Sequence, residues 1–327
     1  MTRPVATIDV VIPAYNEAPH IAKCLDCVLA QDYPPQQVRI YAVDAGGDDG
    51  TGDILRERAA AEPRITVLGG EKRRWQPEGL NLAIAAGDGE LVARVDARNF
   101  IAPDYLRRAS AAMAESGPDV AVVGGHRDHR GETPFGRAVA LAQTSRLGVG
   151  GSVYASKDER AEVDTIPYGV FRRAALEAVG PFDENLPVAE DEDMTWRLRQ
   201  AGYKIVLDGS LTQVYVTRPS FRAAFEQYRV YGRNRVRVVR KHPDYLRAYH
   251  VVPAAAVAGG ALLAAAAPFS HGARVLLGLG AVGYAGVVGA AALSASSREA
   301  PRVAAALVAL HAGYGVGMLA ELAGREQ

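Results

Sequence analysis

The stretch "VAEDEDMTWRLRQAG", residues 188 to 202, sets four consecutive acids, Glu190 to Asp193, at the start of a helical pattern. A carboxylate held beside a hydroxyl can take its proton. Carboxylates can also hold a divalent cation or complement the positive end of a helix dipole. Two further acids close apolar runs: Asp96 in "LVARVDARNF" and Asp44 in "YAVDAGGDDGT". Asp44 at a strand end suits hydrogen bonds from a base imide or a ribose hydroxyl, whereas Asp48 and Asp49 read as turn and cap acids. "GGEKRRWQPEGLN" supplies Lys72, Arg73 and Arg74, cations that either meet a diphosphate or form a solvated charge run.

Other residues invite chemistry less strongly. Cys24 and Cys27 have redox or zinc spacing, but zinc wants four ligands and the pair lies inside a helical run. Core packing is the adopted reading for both. His126 and His129 in "GGHRDHRG" read as histidines of a polar loop without a matching carboxylate, not as metal ligands.

The acids take meaning from the elements that carry them. "IDVVIPAY", "VRIYAVDAG", "RITVLGG" and "ELVARVDA" read as buried strands, separated by helical patterns. Strands alternating with helices imply right-handed crossovers and a mainly parallel sheet. Ligands of such sheets bind beyond the carboxyl ends of the strands. Residues 14–17, 44–47 and 96–99 all fall at such ends. From about 103 to 217 the pattern loosens into helices, a Gly-rich loop "RLGVGGSVYAS" and the acidic helix.

The chain has 327 residues, with 37 Lys and Arg against 37 Asp and Glu, so net charge names no partner and no nucleic-acid partner is expected. The distribution says more. Residues 218–247 carry nine basic residues against two acids, and between Val251 and Ala295 the only formally charged residue is Arg274. Three apolar stretches, 251–269, 275–295 and 303–320, approach the roughly 20 residues that cross a bilayer. Their Ala and Gly suit close helix packing. Basic residues before the first span place the preceding domain on the cytoplasmic side of a multi-pass inner-membrane protein. The expected division is 1–217 catalytic, 218–248 a basic interfacial segment that contacts anionic lipids, and 249–327 membrane helices. No cleaved signal peptide is evident in "MTRPVATIDVVIPAYNE".

"VVIPAYNE", "VDAGGDDGT", "ARVDAR" and "EDED" leading into "WRL" occur in an order that resembles family 2 glycosyltransferases of the GT-A fold. The resemblance is greatest to bacterial exopolysaccharide enzymes of the succinoglycan type, and covers about residues 7 to 240. It implies a Rossmann-like α/β catalytic domain and an inverting transfer from a UDP-sugar, with glucose the expected sugar. The implied acceptor is a lipid-linked oligosaccharide or a growing polysaccharide. By the same resemblance, Pro13, Ala14, Tyr15, Glu17, Asp44, Arg73, Asn81, Asp96 and Ala97 lie at the nucleotide-sugar. Asp191 is the implied base. Gly169, Glu190, Trp196, Arg229 and Arg233 belong to the acceptor or diphosphate region.

The sequence departs from the family at two points. The acid that usually follows Asp44 is Ala45, with Gly46 and Gly47 keeping the backbone open. The D-x-D that holds a cation reads D-A-R, with Arg98 in place of the second carboxylate. Either Asp96 alone holds Mg²⁺ or Mn²⁺ with waters and phosphates, or Arg98 itself contributes positive charge; the first is adopted. Two rival readings stay open: a polyprenyl-phosphate sugar synthase, and a nucleotide-binding membrane adaptor with a degenerate site. A dehydrogenase is disfavoured because the first strand leads to P-A-Y-N-E rather than G-x-G-x-x-G.

Overall fold

The computed structural model describes residues 5–145 and 160–324. The Gly-rich stretch read as a loop at 146–156 lies outside the described residues. The chain separates into two compact units, Met1–Asp128 with Val153–Tyr215, and His129–Ser152 with Val216–Gln327.

The first unit is built on a mixed sheet. Strands β1 (Ile8–Ala14), β2 (Val38–Asp44), β3 (Ile65–Gly69) and β4 (Leu91–Arg94) are separated by α1 (Ala18–Leu29), α2 (Thr51–Ala61) and α3 (Gln76–Ala86). Among the described residues the sheet order is β3-β2-β1-β4-β8-β6-β9-β5, where β5 is Asn99–Ile101, β6 Val120–Arg130, β8 Val170–Arg172 and β9 Lys204–Val216; β7 (Arg160–Glu162) pairs off-path with β9. β1 is parallel to both β2 and β4, and β2 is parallel to β3. From β8 onward the pairings are antiparallel. β1 is buried almost throughout, as expected of a parallel strand covered on both faces. The chain builds outward from β1 through β2 to β3 and then returns to β4 on the other side of β1. That reversal opens a crevice beyond the carboxyl ends of β1 and β4, the place where such sheets bind ligands.

Cys24 is fully buried on the inner face of α1 with Ile21, Leu25 and Val28, while Cys27 sits at the edge of that face. Asp9, inside β1 and fully buried, accepts from Arg39, Arg173 and the Gly89 amide, which fixes the end of the sheet opposite the crevice. His126 and His129 are in β6, not in a loop. The two glycines ahead of them answer to packing. A Cβ on Gly124 would stand 2.2 Å from Ile166 Cδ1, and one on Gly125 2.1 Å from the Leu211 carbonyl oxygen.

The second unit gathers α5 (Pro134–Thr144), α8 (Phe221–Lys241), α9 (Ala248–Ala266), α10 (His271–Ala295) and α11 (Ala300–Leu322); α4 (Tyr105–Glu115), α6 (Arg173–Val179) and α7 (Glu190–Gln200) belong to the first. Sequence reasoning placed α5 in the catalytic domain. Its apolar face, Ala138, Val139 and Ala142, instead packs in one cluster with Val303, Leu307 and Leu310 of α11. α9, α10 and α11 are each long and apolar enough to cross a membrane, which marks a membrane-associated protein. Of the three, α11 is the most enclosed by protein, half buried against one tenth to one sixth for the others.

Candidate active site

The crevice is assembled from loops that hydrogen-bond to one another. Asn16, at a left-handed φ of 52°, accepts from the Asp48 amide and donates to the Asp48 carboxylate, both at 3.0 Å. The Glu17 amide donates to Thr51 Oγ1 at 2.8 Å and the Ala18 amide to Asp49 at 2.9 Å, so "DDGT" caps the start of α1 as well as that of α2, where Asp49 accepts from the Thr51 amide at 3.0 Å. Burial pushes the Asp49 carboxyl up, but the Thr51 hydroxyl and the Ala18 and Thr51 amides outweigh it and hold it below its ordinary value. Gly46 and Gly47 do not keep this region open. Cβ atoms there would meet the Lys72 carbonyl at 2.5 Å and Asn16 Oδ1 at 2.2 Å, so these glycines let neighbouring loops close on each other.

Asp44, ending β2, is buried; it accepts from the Gly46 amide at 3.0 Å and from Arg56 at 3.2 Å. Beside it runs an exposed stack. The Arg73 guanidinium lies 4.7 Å from the Tyr15 ring centroid and 4.4 Å from that of Trp75. An arginine between two aromatic faces is attracted to both, and the stack fixes its direction. Pro13 and Ala14 lie in the last register positions of β1, opposite Val43 and Asp44.

The centre of the site is Asp96. Gln76, the first residue of α3, donates to it at 2.7 Å, and Arg94 Nε donates at 3.1 Å. Arg94 is almost fully buried, and its Nη2 also donates to Glu190 at 2.7 Å. One guanidinium therefore joins the carboxylate after β4 to the first residue of α7, which lies ninety-six positions beyond Arg94 in the chain. Burial pushes the Glu190 carboxyl up to about 7; Arg94 opposes the rise, and Asp191 and Asp96 add to it. Arg94 Nη1 is buried without a hydrogen-bond partner, so the guanidinium keeps donor capacity beyond these two acids. Sequence reasoning missed Arg94. The available signal was a lone charge inside the apolar run "LVARVD", where burial demands a partner.

α7 begins at a strained residue, Ala189, with φ at 70°. The four acids of its first turn have different surroundings. Glu190 is held by Arg94. Asp193, fully buried, receives Arg197 Nε at 2.8 Å. Thr195 reaches back to the Asp191 carbonyl at 2.7 Å. The Asp191 carboxylate is partly exposed and makes no hydrogen bond or ion pair among the described residues. Trp196 is half-buried on the same helix. The Arg197 guanidinium also clamps the carbonyls of Val179, Gly180 and Pro181.

Arg98 turns to Glu17, Nε to Oε1 at 2.7 Å, and Glu17 also meets His20 Nδ1 at 3.2 Å. Ala97, between Asp96 and Arg98 in the chain, is buried. Four expected site residues are engaged elsewhere. Asn81 is occupied at both ends of its amide by the Phe182 backbone, at 2.9 Å each, because that bond pair pins the "GPFDE" turn against α3. Gly169 immediately precedes β8, and its carbonyl accepts from the Arg94 amide; a Cβ there would press on Val122 at 2.8 Å. Arg229 pairs with Glu226 on its own helix, and Arg233 with Glu321 of α11. Among the described residues no three His, Cys, Asp or Glu side chains gather as a metal cage.

The sequence profile described as "Glycosyl transferase family 2" matches residues 9–180, which contain all of β1 but its first residue, with Asp44, Arg94 and Asp96. The chain belongs to this family. It is 32% identical to the succinoglycan biosynthesis protein ExoA of Rhizobium meliloti, over 96% of this chain and 94% of that protein. It is 28% identical to glycosyltransferase AglE of Haloferax volcanii, over 73% and 76%. Among solved structures it resembles a mannosyltransferase of Pyrobaculum calidifontis in complex with GDP-Man and Mn²⁺, with a TM-score of 0.64 and 25% identity, covering 98% of this chain and 88% of that one. The fold and the family agree: this is a glycosyltransferase of the GT-A type, with a membrane-associated helical unit appended.

Proposed function

We propose that the protein is an inverting hexosyltransferase that moves a sugar, glucose in the first instance, from a UDP-sugar to a lipid-linked oligosaccharide or a growing exopolysaccharide. One observation carries the reading: Arg94 binds Asp96 and Glu190 together, so the leaving-group side and the acceptor side of the reaction share one buried charge network.

In this reading Asp44 and the Tyr15–Arg73–Trp75 stack receive the nucleoside, and Asp96 faces its diphosphate. Asp96 fits a divalent cation of the Mg²⁺ or Mn²⁺ type, because such ions take one or two carboxylates and complete their shell with water and substrate phosphates. Bound there, the ion would neutralise charge on the departing diphosphate. Arg98 does not compete for that place, since Glu17 holds it. Asp191, the acid of α7 without a partner among the described residues, takes the proton of the acceptor hydroxyl as it attacks the anomeric carbon. Attack from the face opposite the diphosphate inverts the centre. Glu190, tied to Arg94, orients the first turn of α7 and so aims its neighbour. α8 and the start of α9 carry the basic residues that favour the cytoplasmic side of the inner membrane and its anionic lipids.

A GDP-sugar donor is the second reading, favoured by the mannosyltransferase neighbour that holds GDP-Man. Release of UDP or GDP from a panel of nucleotide sugars, with and without Mn²⁺, separates the two. Asp191→Asn is expected to lower transfer by about two to four orders of magnitude with nucleotide affinity nearly unchanged. Normal turnover in that variant would remove Asp191 from the role of base.

A further inference from the structure

With Arg98 standing where a second carboxylate would be, a cation at Asp96 needs another protein oxygen. Glu17 is engaged by Arg98 and His20, and Glu190 by Arg94. Among the described residues, two side chains hydrogen-bond to the Asp96 carboxylate. Arg94 donates through Nε to Oδ1 at 3.1 Å and through Nη2 to Oδ2 at 3.4 Å. Gln76 donates through Nε2 to Oδ2 at 2.7 Å. A guanidinium offers no acceptor, whereas an amide carries a carbonyl oxygen beside its nitrogen. The Gln76 carbonyl oxygen makes no hydrogen bond among the described residues.

The fold brings this amide to the crevice. Gln76 is the first residue of α3, and Glu78 caps that helix by accepting from the Trp75 amide at 2.7 Å. Glu78 also offsets the positive end of the helix dipole, which by itself disfavours a cation. Gly79, less than a turn further on, lets α3 lie on the end of β1: a Cβ there would stand 3.4 Å from that of Pro13. The start of α3 therefore overhangs the carboxyl end of the parallel strands, where Asp96 follows β4.

The terminal torsion of glutamine is soft and roughly two-fold. Half a turn puts Oε1 where Nε2 now stands and releases a lone pair of Asp96 Oδ2. Two bare oxygens 2.7 Å apart repel, so this arrangement needs a cation between them. An octahedral ion of the Mg²⁺ class holds its ligands at about 2.0–2.1 Å, so neighbouring ligand oxygens stand about 3 Å apart. The observed 2.7 Å separation is within a few tenths of an ångström of that edge. Carboxylate and carbonyl oxygens are the ligands that Mg²⁺ and Mn²⁺ favour.

We propose that Gln76 is the second protein ligand of the cation at Asp96, its amide donating to Asp96 without the ion and turning its oxygen inward with it. The inference rests on the cation role of Asp96 in the proposed function and completes its ligand set. A neutral amide adds no charge, and Arg94 already draws on the one carboxylate. The diphosphate therefore supplies most of the negative charge, and the ion is held tightly only with nucleotide present.

The full chain in phosphatidylcholine nanodiscs is titrated with Mn²⁺ alone, with UDP and with GDP, beside protein-free controls. Water-proton relaxation, which Mn²⁺ speeds more strongly on a slowly tumbling protein, separates ion on the chain from ion on free nucleotide. Wild-type protein is expected to hold Mn²⁺ with nucleotide and weakly without it. Gln76→Leu weakens that binding by about 10–100-fold. Gln76→Glu matches or exceeds the wild type and binds Mn²⁺ without nucleotide. The sign of this second variant decides the role: a glutamate as poor as leucine would reduce Gln76 to a donor that steadies Asp96. Unchanged binding in Gln76→Leu would remove Gln76 from the site, and either result leaves the proposed function standing. Failure of the wild type to hold Mn²⁺ with either nucleotide counts against the cation role of Asp96 itself, and this ligand falls with it.

Discussion

Arg94→Met tests the charge network most directly. Methionine keeps an unbranched apolar stem and removes the guanidinium that meets Glu190 at 2.7 Å and Asp96 at 3.1 Å, with 4% of the arginine side chain exposed. Breaking a buried pair by deleting one partner costs about 3–5 kcal/mol. Two features place this case at the lower end. Burial already pushes Glu190 up to about 7, so it takes a proton instead of staying an uncompensated anion. Asp96 is partly exposed and keeps its hydrogen bond from Gln76. A loss of about 3 kcal/mol is expected. Arg94→Met with Glu190→Gln removes both charges and should return to within about 1 kcal/mol of wild type. Both tryptophans, Trp75 and Trp196, lie in the first unit, so their fluorescence during denaturant unfolding of the full chain reports this unit. Sugar transfer by the double variant should stay low despite the recovered stability, because α7 has lost its tether. A loss below about 1 kcal/mol in Arg94→Met, the level of an exposed pair, would refute the reasoning. So would a double variant no more stable than the single one.

Glu190 also sets a pH dependence. Its folded value of about 7 exceeds the ordinary 4.5, so the native state binds this proton more tightly. Its contribution to stability is full below pH 4.5 and is lost as pH rises through 7, with a slope of at most about 1.4 kcal/mol per pH unit; Glu190→Gln should flatten the unfolding midpoint across that window. Asn81→Ala should cost about 1–3 kcal/mol by orphaning the Phe182 backbone, while the KM for nucleotide sugar stays put; a large rise in KM would return Asn81 to the nucleotide. Gly317→Ala should destabilise the second unit by about 1–3 kcal/mol, since its Cβ meets the Arg229 carbonyl at 1.9 Å. Calorimetry of the full chain that found no change would mean that α8 and α11 separate freely.

Much of the first unit was legible because parallel strands carry continuous apolar runs, and the end of each run points at the crevice. "IDVVIPA", "VRIYAVD" and "LVAR" were found this way, together with the acids that follow them. What escaped depends on distance in sequence. Nothing local to Arg94 says that its partner is Glu190, and nothing local to Asn81 says that the turn at Phe182 will take both ends of its amide. Glycines hid their partners for the same reason. Those of "GGHRDHRG", and Gly46 and Gly47, admit neighbouring backbone or side-chain atoms that a Cβ would meet at 2.5 Å or less, contacts that only a tertiary structure specifies. The allegiance of α5 was hidden in the same way: its apolar face matches any core, and only packing against Val303 and Leu307 decides which one.

Arg98, the departure from D-x-D, has a physical account in the pairing with Glu17. In a site meant for a diphosphate, a second carboxylate beside Asp96 would help to hold a cation, and an unpaired arginine there would repel it. At 2.7 Å from Glu17, with both side chains less than one-fifth exposed, Arg98 is largely neutralised within the loop that follows β1. The positive charge that faces Asp96 comes from beneath, through Arg94. Arg94 is itself shared with Glu190, so Asp96 keeps part of its negative charge for a ligand. The substitution therefore leaves Asp96 serviceable as the single carboxylate of the site, and links the "PAYNE" loop to the "DAR" loop by an ion pair where the family pattern would have two acids.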